Sequence, residues 1–186
     1  MKKTYLTKEN LRKKIVTWKK ALAPFSKHRR NFSFEKSALI VIDLQNYFLD
    51  PESHAFIPSA RIILPQIHRT IELFRKATRP VFYTRFAVKK TEKDPIGAWW
   101  EAGVREDSAK SELFSEFIPL PQEAILRKTH YNAFLGTNLL KKLKKAKVDS
   151  VLICGVHTYL CCESTARAAF EEGFKVFVLA DGTATL

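Results

Sequence analysis

The sequence predicts an α/β fold, with a mostly parallel sheet covered by helices on both faces. Three observations carry that prediction. Short, continuous apolar runs rich in β-branched and aromatic residues recur along the chain, as strands buried on both faces require. Segments with helical periodicity lie between them. Strands alternating with helices lead to a parallel sheet in which each crossover helix packs back on a face.

The elements follow in order. After Thr7, Leu11, Ile15, Trp18 and Leu22 recur at i, i+4, i+7 and i+11, an apolar stripe on an otherwise cationic helix that Pro24 should end. "ALIVID" (38–43) is the first strand, closed by Asp43. Ile63, Ile67, Ile71 and Phe74 mark a helix in which Pro65 is tolerated near the first turn. "PVFYT" (80–84) and "AILR" (124–127) are the second and third strands, separated from about Lys89 to Pro121 by an excursion without a clean period that carries Trp99 and Trp100. A Lys-rich helix with Leu139, Leu140 and Leu143 ends near Lys147, ahead of the fourth strand, "SVLICG" (150–155). A last helix over Cys161–Glu172, closed by Gly173, leads to a fifth strand, "KVFVLA" (175–180).

The chain has 186 residues, 46% of them hydrophobic, enough for one sizeable core. The net charge of +13 is unevenly placed. Residues 1–36 hold twelve Lys or Arg against two acids, while residues 37–186 hold twenty against seventeen. The chain therefore divides into a basic N-terminal extension with an amphipathic helix (1–36) and a nearly balanced body (37–186). The extension is expected to dock on its own domain or on a neighbouring subunit. No nucleic-acid motif is present, and no apolar run approaches the ~20 residues that span a bilayer. Neither nucleic acid nor membrane is expected as a partner. Three cysteines without a signal-peptide pattern fit a reducing, cytoplasmic setting and not a disulfide framework.

Ligands of open parallel sheets bind beyond the carboxyl ends of the strands. Asp43 closes the first strand, Lys128 follows the third, and Cys161 lies just past the fourth, where a helix begins. Together they supply a carboxylate, a cation and a thiol at one sheet edge, the inventory for nucleophilic catalysis. A helix N-terminus and an ammonium favour thiolate over thiol, and the carboxylate can accept the proton.

Three segments, "VIDLQNYF" (41–48), "RKTHYNAF" (127–134) and "GVHTYLCCESTARAAF" (155–170), make the chain from about Ser37 onward resemble the isochorismatase-like cysteine hydrolases. The resemblance implies a three-layer α/β/α domain with a Rossmann-like parallel sheet, and assigns Asp43, Lys128 and Cys161 as the catalytic triad. It implies a cis peptide between Val156 and His157, with the backbone N–H groups of His157 and Cys161 aimed at an oxyanion. Cys162 takes a position that faces the core, and Cys154 is expected to be an inert buried residue. The activity implied is hydrolysis of a C–N bond in a small amide, ureido or carbamoyl substrate through a Cys161 thioester. Asp43 would be the base and Lys128 the electrostatic support.

Nicotinamidases of this superfamily carry a metal on an Asp-x-His after the second strand. Here the place reads "YTRFAVKK" (83–90), so no metal or other cofactor is expected and nicotinamide is set aside as substrate. Asp50 and His54 in "DPESH" differ in spacing and place and read as a solvated loop. Gln45, Phe48, Arg85, Trp99, Trp100, Tyr131, Phe134 and Tyr159 are the candidate substrate-binding residues, Arg85 as the partner of a substrate carboxylate. Two alternatives stay open. "GAWWEAG" and "YNAFLGTNLL" resemble the isochorismatase branch, whose vinyl-ether hydrolysis does not need the thiol; a non-catalytic binding protein is the other. Relatives usually continue past a segment like "LADGTATL" with a helix and an edge strand. An edge left open at Leu186, whether in a minimal domain or a shortened chain, leads to the expectation of a homo-oligomer.

Overall fold

β1 (Ser37–Ile42) is buried along its whole length, and its side chains alternate between two cores. Leu39 and Val41 point into one, Ala38, Ile40 and Ile42 into the other. That period of two is the geometry of a strand with hydrophobic partners above and below. The computed structural model describes residues 4–25 and 31–186. Lys2, Lys3, Lys27, Arg29 and Arg30 of the basic extension lie outside the described residues.

The chain runs α1 (Leu11–Leu22), β1, a one-turn α2 (Asn46–Leu49), α3 (Ala60–Lys76), β2 (Val81–Phe86), α4 (Pro95–Trp100), β3 (Ala124–Lys128), α5 (Leu139–Lys145), β4 (Ser150–Val156), α6 (Glu163–Glu171) and β5 (Lys175–Ala184). A wide π-helical turn, Thr158–Cys162, leads into α6. The sheet order is β3-β2-β1-β4-β5, and all four pairings are parallel. Ile63, Ile67, Ile71 and Phe74 of α3 fill the core on one face; Leu139 and Leu143 of α5 and Ala169 of α6 fill the other. The result is the three-layer α/β/α arrangement.

α1 begins and ends where its apolar stripe and Pro24 place it. Leu11 and Trp18 pack on the α3 core, and ahead of them Leu6 is fully buried. The backbone N–H groups of Tyr5 and Leu6 donate to Ser59 Oγ (3.1 and 3.3 Å), so this strap docks on its own domain. The Pro65 expectation needs correction. α3 starts five residues earlier, at Ala60, so Pro65 sits in the second turn and the helix lacks the bond from residue 65 to the Arg61 carbonyl. Among the described residues, no helix is long and apolar enough to cross a membrane.

Strand order reverses at β1. The chain leaves it toward β2 and β3 on one side and returns to β4 and β5 on the other. The β1/β4 crevice is therefore the topological switch point, where parallel sheets open a site. Gly155 lets the two strands close there. Its φ is +117°, and a Cβ would lie 2.0 Å from the Ile42 carbonyl oxygen, one residue before Asp43.

Candidate active site

Asp43 leaves β1 with φ of 49°, a left-handed conformation that Asp tolerates better than most residues. Its carboxylate is fully buried. Thr84, on neighbouring β2, fixes it from both ends: the Asp43 N–H donates to Thr84 Oγ1 (3.2 Å), and the Thr84 hydroxyl donates to Asp43 Oδ1 (2.6 Å). Asp43 Oδ2 faces the Lys128 ammonium at 2.6 Å as an ion pair, but no donor is aligned on it as a hydrogen bond.

Lys128 ends β3, two strands away from β1. Its stem crosses the end of β2, with Nζ 5.5 Å from the centre of the Phe86 ring. Nζ donates to the His130 carbonyl (3.0 Å) and to Cys161 Sγ (3.3 Å). Two hydrogen bonds thus serve a carbonyl and a sulfur, while the Asp43 carboxylate meets the ammonium as an ion pair. Burial acts downward on this ammonium, yet Asp43 and Cys161 lift its pKa above the usual lysine value.

Cys161 sits in the wide turn after β4. The Val156–His157 peptide is cis, and the N–H groups of Leu160 and Cys162 both converge on the His157 carbonyl (3.2 and 3.1 Å). Single π-turns of this kind concentrate at functional sites. The structure corrects the expected thiolate. Burial pushes the Cys161 thiol up to about 12; the Lys128 ammonium opposes the rise and the Asp43 carboxylate adds to it. Burial thus favours the protonated thiol beside the Lys128 ammonium. Moving the thiol proton to Asp43 leaves the net charge unchanged, so attack need not bury a new charge. Burial raises Cys162 and Cys154 as well: Cys162 lies in the α5/α6 core, and Cys154 packs on the opposite face of the sheet.

A cavity of about 190 Å³ opens onto Cys161. That is small beside the roughly 300–1,000 Å³ of drug-sized sites. Phe48, Trp100, Tyr131 and Tyr159 line it, as do the rings of Phe86 and His157. Among the described residues, no Asp, Glu, Lys or Arg side chain lines it.

Four residues expected against substrate lie elsewhere. Gln45 is buried with its amide saturated: Nε2 donates to the carbonyls of Phe86 (2.9 Å) and Ser111 (2.8 Å), and Oε1 accepts from the Phe86 N–H (2.8 Å). It braces the end of β2. Arg85 alternates with Thr84 and Phe86, so it points away from the cavity; there it meets Glu112 (2.9 Å), Glu106 (3.4 Å) and Ser111 Oγ (3.2 Å). Trp99 is 79% exposed, a step round α4 from Trp100. Phe134 packs on the α5/α6 core, 6.5 Å from the Phe174 ring.

The cavity also holds residues that sequence reading missed. His54 is exposed in its loop, as expected, and also lines the cavity, with Nε2 2.9 Å from Tyr47 Oη. Tyr47, in the one-turn α2 before this loop, packs in the core and also lines the cavity. Burial raises the Tyr47 pKa, with Asp94 adding to the effect. Ile96 and Leu186 come from segments without a motif. The donor set does not suit the nicotinamidase-type metal. The stretch after β2 offers cations and apolar groups, and among the described residues no three His, Cys, Asp or Glu side chains are grouped to hold an ion.

Residues 37–186 match the isochorismatase domain family. Nicotinamidase 3 of Arabidopsis thaliana is 37% identical over 166 residues, covering 87% of this chain and 79% of that protein. A cysteine hydrolase from Pseudomonas syringae pv. phaseolicola superposes with a TM-score of 0.80 at 26% identity, over 85% of this chain and 76% of that one. The N-carbamoylsarcosine amidase from Thermoplasma acidophilum superposes with a TM-score of 0.76 at 28% identity, over 81% and 85%. The chain belongs to the isochorismatase family of hydrolases.

Proposed function

We propose that the protein is a cysteine amidohydrolase that cleaves the C–N bond of a small amide, ureido or carbamoyl compound through a thioester on Cys161. The observation that carries this reading is the convergence on Lys128 Nζ of Cys161 Sγ at 3.3 Å and Asp43 Oδ2 at 2.6 Å, beside a cavity with Cys161 in its wall. The names of two relatives, a nicotinamidase and a carbamoylsarcosine amidase, support amide chemistry.

Asp43 takes the proton from Cys161, and the sulfur attacks the carbonyl carbon. The C=O electron pair moves onto oxygen, where backbone N–H groups of His157 and Cys161 would receive it. Lys128 keeps the thiolate and the carboxylic acid in a neutral assembly. The oxyanion collapses, the C–N bond breaks, and Asp43 returns its proton to the departing nitrogen. Asp43 then draws a proton from water, hydroxide adds to the thioester, and the acid leaves as Cys161 recovers its proton. No cofactor enters any step.

The uncharged cavity favours neutral substrates. Nicotinamide, set aside on sequence grounds, returns as a candidate through the relative that shares 37% of its residues. The reading predicts ammonia release from at least one simple uncharged amide or urea, nicotinamide included. Cys161→Ala should lower that rate by at least ~10³-fold, as for catalytic groups that act as a unit. A Cys161→Ala protein that retains full activity, as on a vinyl ether, would overturn the proposal.

A further inference from the structure

The match to the family begins at residue 37, yet the strap ahead of it reaches toward the active site through Tyr5. The backbone of Tyr5 is held on both sides: its N–H donates to Ser59 Oγ, and its carbonyl accepts from Asn10 Nδ2 at 3.3 Å. Its ring packs on Trp18 of α1, with centroids 6.4 Å apart. Tyr5 Oη then accepts the Thr185 N–H at 3.2 Å. Thr185 follows β5 and carries the contact inward. Its Oγ1 lies 3.2 Å from His157 Nδ1, and the next residue, Leu186, lines the cavity. His157 lines the cavity as well, edge-on to the Phe48 ring at 5.1 Å, and it immediately precedes the π-helical turn that carries Cys161. A line of adjacent contacts thus runs from the strap through Thr185 to the catalytic turn.

We propose that Tyr5 is a positioning residue: by holding the Thr185 backbone it fixes the Thr185 hydroxyl against His157, and so sets the turn whose N–H groups would receive the oxyanion. The inference rests on the amide reading for its effect on rate, and on the contacts alone for its effect on His157. Tyr5 is not among the residues that line the cavity, so it acts through Thr185. A donor displaced from the oxyanion's position stabilises the transition state less and leaves substrate binding nearly as it was, so the loss falls on kcat. A tyrosine that only pinned the strap would lower stability and leave the turn alone.

The full chain is compared with Tyr5→Phe, which keeps the ring on Trp18 and removes the acceptor, and with Thr185→Val, which removes the hydroxyl and keeps the N–H. Thr185→Ser restores the hydroxyl. The imidazole signals of His157, assigned by their absence in His157→Gln, are followed by nuclear magnetic resonance. Tyr5→Phe and Thr185→Val should both displace them, and Thr185→Ser should leave them near their wild-type positions. On an amide that the wild type hydrolyses, Tyr5→Phe and Thr185→Val should each lower kcat by about 3- to 10-fold, with KM changed by less than about twofold. The double variant should be no slower than Thr185→Val alone, because both substitutions cut the same path. His157 signals that stay in place in Tyr5→Phe, an unchanged kcat, or losses that multiply in the double variant overturn the proposal. If the wild type hydrolyses no amide, the amide reading loses its support and the His157 signals decide this inference separately: displacement in Tyr5→Phe upholds it, and none sinks it.

Discussion

Arg127 and Lys128 are consecutive residues of β3 that face opposite ways, and each ends on a carboxylate. Arg127 grips Glu92 with two bonds of 2.8 Å, and the two side chains are 27% and 32% exposed. Lys128 meets Asp43 at 2.6 Å with both side chains fully buried. The charges are alike and the media are not. In the wet pair each ion keeps part of its hydration, so little is gained by pairing and little is lost without it. In the dry pair neither ion has water to fall back on, and removing one strands the other. The wet pair ties a loop to a strand end. The dry pair holds charge where a thiol proton has to move.

The largest expected effect is on activity. Asp43→Asn keeps the shape but removes the proton acceptor, and should lower kcat by at least ~10³-fold in any amide assay the wild type supports. Stability comes next. Lys128→Met leaves Asp43 buried without its partner and should cost about 3–5 kcal/mol in urea unfolding. Combining Asp43→Asn with Lys128→Met should recover much of that loss, because neither buried charge remains. If Lys128→Met unfolds at the wild-type midpoint, the pair is wetter than its geometry indicates and the contrast fails.

A smaller effect appears on the pH axis. Burial lifts the thiols of Cys161 and Cys162 above their unfolded value, so the folded state holds those protons more tightly. Their contribution is complete below about pH 9 and falls as pH rises beyond it. Urea midpoints between pH 7 and 10.5 should decline, and the decline should be shallower in Cys162→Ala. The smallest effect belongs to the wet pair. Arg127→Ala should leave the midpoint at pH 7 nearly unchanged. Because the Arg127 hydrogen bond lowers the Glu92 pKa, any residual contribution should vanish as pH falls below about 4.5. A large loss there would erase the distinction between the two sides of β3.

The same distinction explains what could be read in advance. Strand placement was legible because "ALIVID" and "SVLICG" are apolar without interruption, and Asp43, Lys128 and Cys161 stand at the ends of three strands. The lining was less legible. Whether Arg85 faces the site depends on strand phase at its last residues, which an apolar run does not mark. Gln45 looks like a binding residue until the carbonyls of Phe86 and Ser111 are seen to occupy its amide. Tyr47, His54 and Leu186 meet only through tertiary contact. The thiol's protonation is hidden for the same reason: a helix N-terminus and a lysine are visible in sequence, whereas burial of the sulfur is not.

Asp43, Lys128 and Cys161 are proposed to act as one unit in which the carboxylate receives the thiol proton during attack. Acylation of the intact protein by an activated amide, quenched rapidly and followed by peptide mass, tests it most directly. A single adduct on Cys161 is expected in the wild type, with acylation at least ~10²-fold slower in Asp43→Asn. Equal acylation rates in the two proteins, or an adduct on Cys162, would contradict it.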